Sequence, residues 1–169
     1  MVLLSLGTAS CEAAPEPTQT DAPAASTAPT PPTPHAPADG WGEAIAWRSF
    51  ADGKREALAT KRPLMLVVWT PWCANCRKLK KNFSTDPSIQ KHSKDLVMVN
   101  VNQEDLPEFS KYGPDGDYIP RILFFSPEGT LDESILNEKR SRFRYFYSPV
   151  DSLSATMQEA KLRHAHTRP

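Results

Sequence analysis

Two cysteines three apart, in Trp72-Cys73-Ala74-Asn75-Cys76, carry the chemistry of this chain. An apolar run, Leu64-Met65-Leu66-Val67-Val68-Trp69, leads into them, and Arg77-Lys78-Leu79-Lys80-Lys81 follows. A buried-strand pattern therefore feeds a helix that opens at the first cysteine. Backbone N–H groups and the helix dipole stabilise negative charge at a helix N-terminus. There a thiol pKa falls from about 8.5 to roughly 3.5–7.5. The thiolate is the nucleophile, so Cys73 is the expected attacking sulfur. Cys76 lies almost one turn deeper and is placed to resolve a mixed disulfide. Arg77 and Lys78 add positive charge nearby. The pattern is that of a dithiol/disulfide redox pair.

Four other uses of the same residues compete, the least of them a reactive thiol outside any redox pair. Half of a zinc site needs a second CxxC or a His pair. His92 stands alone and His164-x-His166 falls in the tail, so no metal is expected. A c-type haem needs His where this chain has Arg77. A purely structural disulfide stays open, although so short a loop stabilises little. No cofactor is implied.

The surrounding elements must position the pair. The segment from Trp41 to Arg62 suits a helix, with Ile45, Phe50 and Leu58 as its apolar face and Trp47 beside them. Asp52-Gly53 interrupts it and Pro63 ends it. Leu64–Trp69 suits a strand buried on both faces. Cys76, Leu79 and Phe83 recur at helical spacing and point inward. Asp86-Pro87 opens a further helix, with an acidic cap and Pro at the first position. Leu96–Val101 is a second apolar strand and Ile119–Phe125 a third. Gly113-Pro114-Asp115-Gly116 is a turn. Ser126-Pro127-Glu128-Gly129 turns the chain into a short antiparallel partner near Thr130 and Leu131. Arg142–Tyr147 alternates basic and aromatic residues, as an edge strand or an extended segment. Ser148-Pro149-Val150-Asp151 resembles a capping box for a last helix with Val150, Leu153, Met157 and Ala160 as its buried stripe. This order gives an α/β domain of three layers around a central mixed sheet.

Composition divides the 169 residues near Gly40. Residues 1–40 hold eight of the 17 prolines, four acids and no Lys or Arg. The rest carries 20 basic and 16 acidic residues, a formal +4. That charge is too small, and too little clustered with aromatics, to imply nucleic acid. Lys78, Lys80 and Lys81 suit a solvated helix face. The chain thus divides into a leader-like segment 1–11, a Pro/Ala/Thr-rich disordered spacer 12–40 and a folded domain 41–169. A short apolar run ending Ala9-Ser10-Cys11 looks like the end of a bacterial lipoprotein signal, whose cysteine is lipidated. Thr8 stands where that motif has Leu. An ordinary secretory signal, or a frayed terminus with a stray thiol, are the alternatives. Cys11 would then be the membrane tether, the spacer would supply reach, and Cys73 and Cys76 would form a closed pair. No run of about 18 apolar residues suits a transmembrane helix.

Trp72-Cys73-x-x-Cys76 after an apolar strand, with Ile119-Pro120 opening another strand roughly 40 residues later, resembles the thioredoxin fold. The resemblance narrows on Cys76-Arg77-x-Leu79-Lys80, Leu96–Asn100, Gly113-Pro114-Asp115-Gly116-x-Tyr118-Ile119-Pro120-Arg121-Ile122-Leu123-Phe124 and Tyr145-Phe146-Tyr147. These segments are similar to the small endoplasmic-reticulum thioredoxin-domain and anterior-gradient family over residues 41–163. The resemblance implies a cis Pro120 beside the active pair. It also implies an Ile119 backbone that pairs with an extended client, and Trp72 at the client-binding rim. The terminal His-Thr-Arg-Pro is not an ER-retrieval signal. The expected protein is a bacterial exported relative, periplasmic or extracellular. It would exchange thiols and disulfides with client proteins and with a redox partner. A client-holding module with minor redox activity is the alternative, and reduction of a partner's copper-site cysteines is a narrower form of the first. Thioredoxins carry a buried Asp six residues before the first active cysteine. Val67 occupies that position here, and Glu104 or Asp105 are the candidate substitutes.

Overall fold

A computed structural model of the protein describes residues 35–165. Cys11, the segment 1–11 and most of the spacer lie outside the described residues, as does His166. The elements run β1 (Trp47–Arg48), α1 (Phe50–Thr60), β2 (Leu64–Trp69), α2 (Ala74–Thr85), α3 (Pro87–Ser93), β3 (Val97–Asn102), a 3₁₀ turn (Pro107–Lys111), β4 (Arg121–Phe125) and α4 (Leu153–Ala165). The sheet order is β1-β3-β2-β4. β1 and β2 flank β3 in parallel, and β4 runs antiparallel to β2.

β2 occupies the sheet interior, and every one of its six residues is buried. Alternation sends Met65, Val67 and Trp69 into one core with Leu79, Phe83, Ile89, Met157 and Ala160. Leu64, Leu66 and Val68 enter the other, with Ala57, Phe109 and Tyr145. The expected three-layer mixed-sheet architecture is present: α2, α3 and α4 cover one face, and α1 with the 3₁₀ turn covers the other. Each buried aliphatic or aromatic side chain contributes about 1.5–3 kcal/mol by leaving water, so the two cores are the main source of stability.

Several local expectations need correction. The first helix does not begin at Trp41. Trp47 and Arg48 form β1, paired with Met98 and Val99, and α1 starts after Ser49, whose hydroxyl accepts from Asp52 N. Trp41 is too valuable to the core to sit on that helix: it is fully buried, edge-on to Phe83 at 5.1 Å and to Trp69 at 6.1 Å. Gly53 does not interrupt α1. It lets the helix approach the sheet, because a Cβ there would stand 2.5 Å from Val99 Cγ2. The expected hairpin partner shrinks to one bridge, Phe125 to Leu131. Arg142–Tyr147 forms no strand, although Tyr145 O accepts from Ile122 N at 2.9 Å. The Ser148–Asp151 box forms, with Asp151 Oδ2 accepting from Ser148 N and Oγ. It leaves Val150 86% exposed, and Thr156 joins the buried stripe in its place.

Packing extends into the stretch assigned to the spacer. Ala36 N donates to Trp47 O, Asn100 Nδ2 donates to Pro37 O, and Ala38 is buried. Backbone hydrogen bonds and one methyl hold this segment. Composition cannot register them, because a Pro/Ala stretch looks the same packed or free.

Candidate redox site

Register places the site. Trp69 ends β2 opposite Asn102, the last residue of β3. Val68 pairs with Arg121, the first residue of β4. The turn after β2, the loop after β3 and the approach to β4 therefore meet at one end of the sheet. They bring Thr70–Cys76, Gln103-Glu104 and Ile119-Pro120 together.

Cys73 is the N-cap of α2. Its sulfur accepts from Cys76 N at 3.0 Å, and its carbonyl accepts from Arg77 N at 3.1 Å. The two cysteines are bonded, with their Cα atoms 5.2 Å apart. Cys73 is 5% exposed and Cys76 fully buried, which makes Cys73 the outer sulfur of the pair. The N-terminal N–H groups of a helix are otherwise unpartnered, so an anionic sulfur at the cap meets donors already aimed at it.

The supports come from both directions. Cys73 N donates to Thr70 O, closing the turn out of β2. Arg77 folds back to donate to Pro71 O and Trp72 O at 3.2 and 3.0 Å, so its charge lies along that turn. Trp72 is 65% exposed, and its Nε1 donates to Glu104 Oε1 at 2.7 Å. Pro120 is buried after a cis Ile119–Pro120 bond, and Ile119 packs against the core cluster that contains both cysteines.

Lys80 corrects the expectation of a uniformly solvated lysine face. Lys78 and Lys81 are exposed, but the Lys80 ammonium stands 3.4 Å from the Trp69 ring centroid and donates to Asp39 O. Burial lowers its pKa, with the Asp39 charge acting in the opposite sense. The cation on Trp69 fastens residues 36–41 beside the redox helix. Sequence spacing could not find this, since the lysine and the tryptophan belong to different elements.

Val67 is fully buried between Asn100 and Ile122 in the sheet, so no carboxylate occupies its place. Glu104 is exposed at the rim on Trp72, and Asp105 accepts from Asn102 Nδ2. Among the described residues no three His, Cys, Asp or Glu side chains gather as a metal cluster.

Sequence inspection gave Arg121 no role beyond its motif. The structure makes it the anchor of the Pro120 segment. Its side chain is fully buried and donates to Tyr112 O, Asp117 Oδ1, Tyr118 O, Gln103 Oε1 and Phe109 O. Gln103 and Glu104 are adjacent, so this cation connects the Ile119-Pro120 approach to the loop that holds Trp72. Arg beside Pro at a strand start, in a strand otherwise apolar, was the available signal.

A family model described as thioredoxin-like matches residues 46–127. Anterior gradient protein 3 of Mus musculus is 33% identical over 114 residues, covering 66% of this chain and 67% of that protein. Anterior gradient protein 2-B of Xenopus laevis is 32% identical over 124 residues, covering 72% and 74%. Among solved structures, a DsbH oxidoreductase matches with TM-score 0.51 at 17% identity, over 72% of this chain and 87% of that one. A putative disulphide-isomerase from Bacteroides thetaiotaomicron matches with TM-score 0.50 at 20% identity, over 76% and 97%. At these identities the structural likenesses establish the fold.

Removing the buried cation tests the anchor. Arg121→Met leaves four backbone or amide acceptors without their donor and should lower unfolding free energy by about 3–5 kcal/mol, measured by urea denaturation. A loss under about 1 kcal/mol would mean the five hydrogen bonds do not hold the loop.

Proposed function

The chain belongs to the thioredoxin-like anterior-gradient family, and on that premise we propose that it is a thiol–disulfide oxidoreductase acting on protein thiols and disulfides outside the cytoplasm. The observation that carries the proposal is the Cys73–Cys76 pair at the start of α2, with the outer sulfur accepting the Cys76 N–H.

In the reducing direction the Cys73 thiolate attacks one sulfur of a client disulfide. A Cys73–client bond forms, the client S–S bond breaks, and the departing client thiolate takes up a proton. Cys76, having lost its proton, then attacks Cys73 Sγ. The Cys73–Cys76 bond forms and the second client thiol leaves, so two electrons pass to the client. In the oxidising direction a client thiolate attacks Cys73 Sγ of the closed pair and expels the Cys76 thiolate. A second client thiolate then displaces Cys73 and forms the client disulfide. A redox partner resets the pair. Trp72 and Ile119 border the reacting sulfur, and the Ile119 backbone would pair with an extended client segment. Pro120 shapes that border.

Val67 separates this protein from thioredoxin. With no carboxylate behind Cys76, its proton must leave to solvent or a remoter group, which slows resolution of the mixed disulfide. A slow second step lengthens the life of the client-bound state. That favours client holding as a second activity of the same site.

The leader-like segment 1–11 and the spacer 12–40 support export and a lipid tether on Cys11. Among the described residues no helix is long and apolar enough to cross a membrane.

Three outcomes check these proposals. Cys73→Ser should abolish exchange, whereas Cys76→Ala should accumulate client mixed disulfides visible on non-reducing gels; full activity in the Cys73 variant would rule the mechanism out. Insulin reduction should run at least about tenfold slower than with thioredoxin, and an equal rate would remove the role given to Val67. Cys11→Ser should move the exported protein from membrane pellet to supernatant on fractionation, and unchanged partition would exclude the tether.

A further inference from the structure

We propose that Arg142, Phe143 and Arg144 form a selectivity platform on the segment leading into Ile119-Pro120 that favours acidic client segments. This rests on the oxidoreductase reading for the existence of a client, and adds the chemistry of that client.

The platform is held against the segment leading into Ile119-Pro120. Phe143 packs edge-on against Tyr118, ring centroids 4.8 Å apart. Tyr118 OH donates to Asp115 Oδ1 at 2.6 Å and accepts from Tyr145 N at 3.0 Å. Asp115 Oδ2 accepts from Arg144 N. The next contact along, Tyr145 O with Ile122 N, ties the same loop to the outer edge of β4. Ile119 packs against the core that contains the cysteines and Tyr118 against the second core, so the Tyr118–Phe143 stack lies one residue along the chain from Ile119 and on the other face.

The backbone gives an independent sign. Phe143 adopts φ +54, a left-handed conformation that is an outlier for a bulky residue. No core is gained in return, because Phe143 remains 47% exposed. Phe146 N donates to Phe143 O at 3.0 Å, so the loop turns at this residue and lifts its ring onto the surface.

The charges select the partner. Arg142 and Arg144 are exposed, and neither makes an ion pair among the described residues. Arg142 lies over the Phe143 ring at 5.5 Å. Asp117 is engaged with Arg121 and Gln103, and Asp151 with Arg140. Asp115 lies at the platform itself, on Tyr118 OH and Arg144 N, so the two guanidinium groups exceed the local carboxylate by one charge. Two free guanidinium groups flanking an exposed ring complement Asp or Glu beside an apolar residue. A client strand pairing with Ile119 would send one set of alternate side chains to the cysteine face and the other set to the face that carries this platform.

The test uses three fluorescent 12-residue peptides without cysteine, sharing one central Phe and carrying Asp, Ser or Lys flanks. Anisotropy titration with the full chain needs no redox turnover. The Asp peptide should bind about fivefold tighter than the Ser peptide, the scale of two exposed ion pairs, and the Lys peptide weakest. The difference should shrink as salt rises from about 0.05 to about 0.5 M. The double variant R142Q/R144Q should bind the Asp and Ser peptides equally, with melting temperature monitored to confirm folding. Phe143→Gly should weaken all three alike. Equal binding of the three peptides by the parent chain, or a preference that survives in the folded double variant, overturns the proposal. A parent chain that shows the charge preference but cannot reduce a small disulfide would keep the platform and refute the oxidoreductase reading instead.

Discussion

Burial of β2 on both faces is the constraint on which the rest of the structure depends. A strand with no solvent-facing side must be covered by helices on each face and by strands on each edge. β3 and β4 take the edges, α2 with α3 and α4 takes one face, and α1 takes the other. Because β4 runs antiparallel to β2, its first residue stands where β2 ends. Residues more than 40 positions apart in sequence are thereby brought to one end of the sheet, and the chain leaving β2 has little choice but to enter α2 beside Pro120.

The site combines an apolar interior with polar fixings that have no freedom to fail. Cys76 and Val67 are both fully buried in the same apolar core. Arg121 is the contrasting case. A fully buried guanidinium is tolerated because all its donors are met, and a cation so placed stabilises less than it specifies. Its five acceptors come from the loop after β3, the 3₁₀ turn and the approach to β4, so those segments have one arrangement in which the cation is satisfied. Lys80 acts similarly at the other border of the site, where an aromatic face replaces a carboxylate partner.

Local pattern was legible where one element decided the outcome. β2 was expected over Leu64–Trp69 and has those bounds. The Cys73 cap, the inward Cys76, Leu79 and Phe83, and the Asp86-Pro87 start all depend on residues within one helical turn, and each stands as expected. The failures lie where a distant partner overrode local preference. Trp41 and Trp47 look helical in isolation, but their bulk is accommodated by the aromatic core around Phe83. Gly53 looks like a breaker, yet it marks close approach of α1 to Val99. Val150 has apolar character and helical phase, but the cap at Ser148–Asp151 holds it outside the core.

By itself the sequence determined the dithiol motif and its local setting: two thiols at a helix start, an apolar strand before them, and an Ile-Pro step far along the chain. Spacing within an element fixes such things because helix and strand periods are set by the backbone. The tertiary structure alone decided which groups surround the pair. It set Glu104 on Trp72, Lys80 on Trp69, Arg121 beneath the Pro120 approach and Phe143 on Tyr118. Each of those partnerships joins separate elements, and strand register, which no local period encodes, is what brings them within reach.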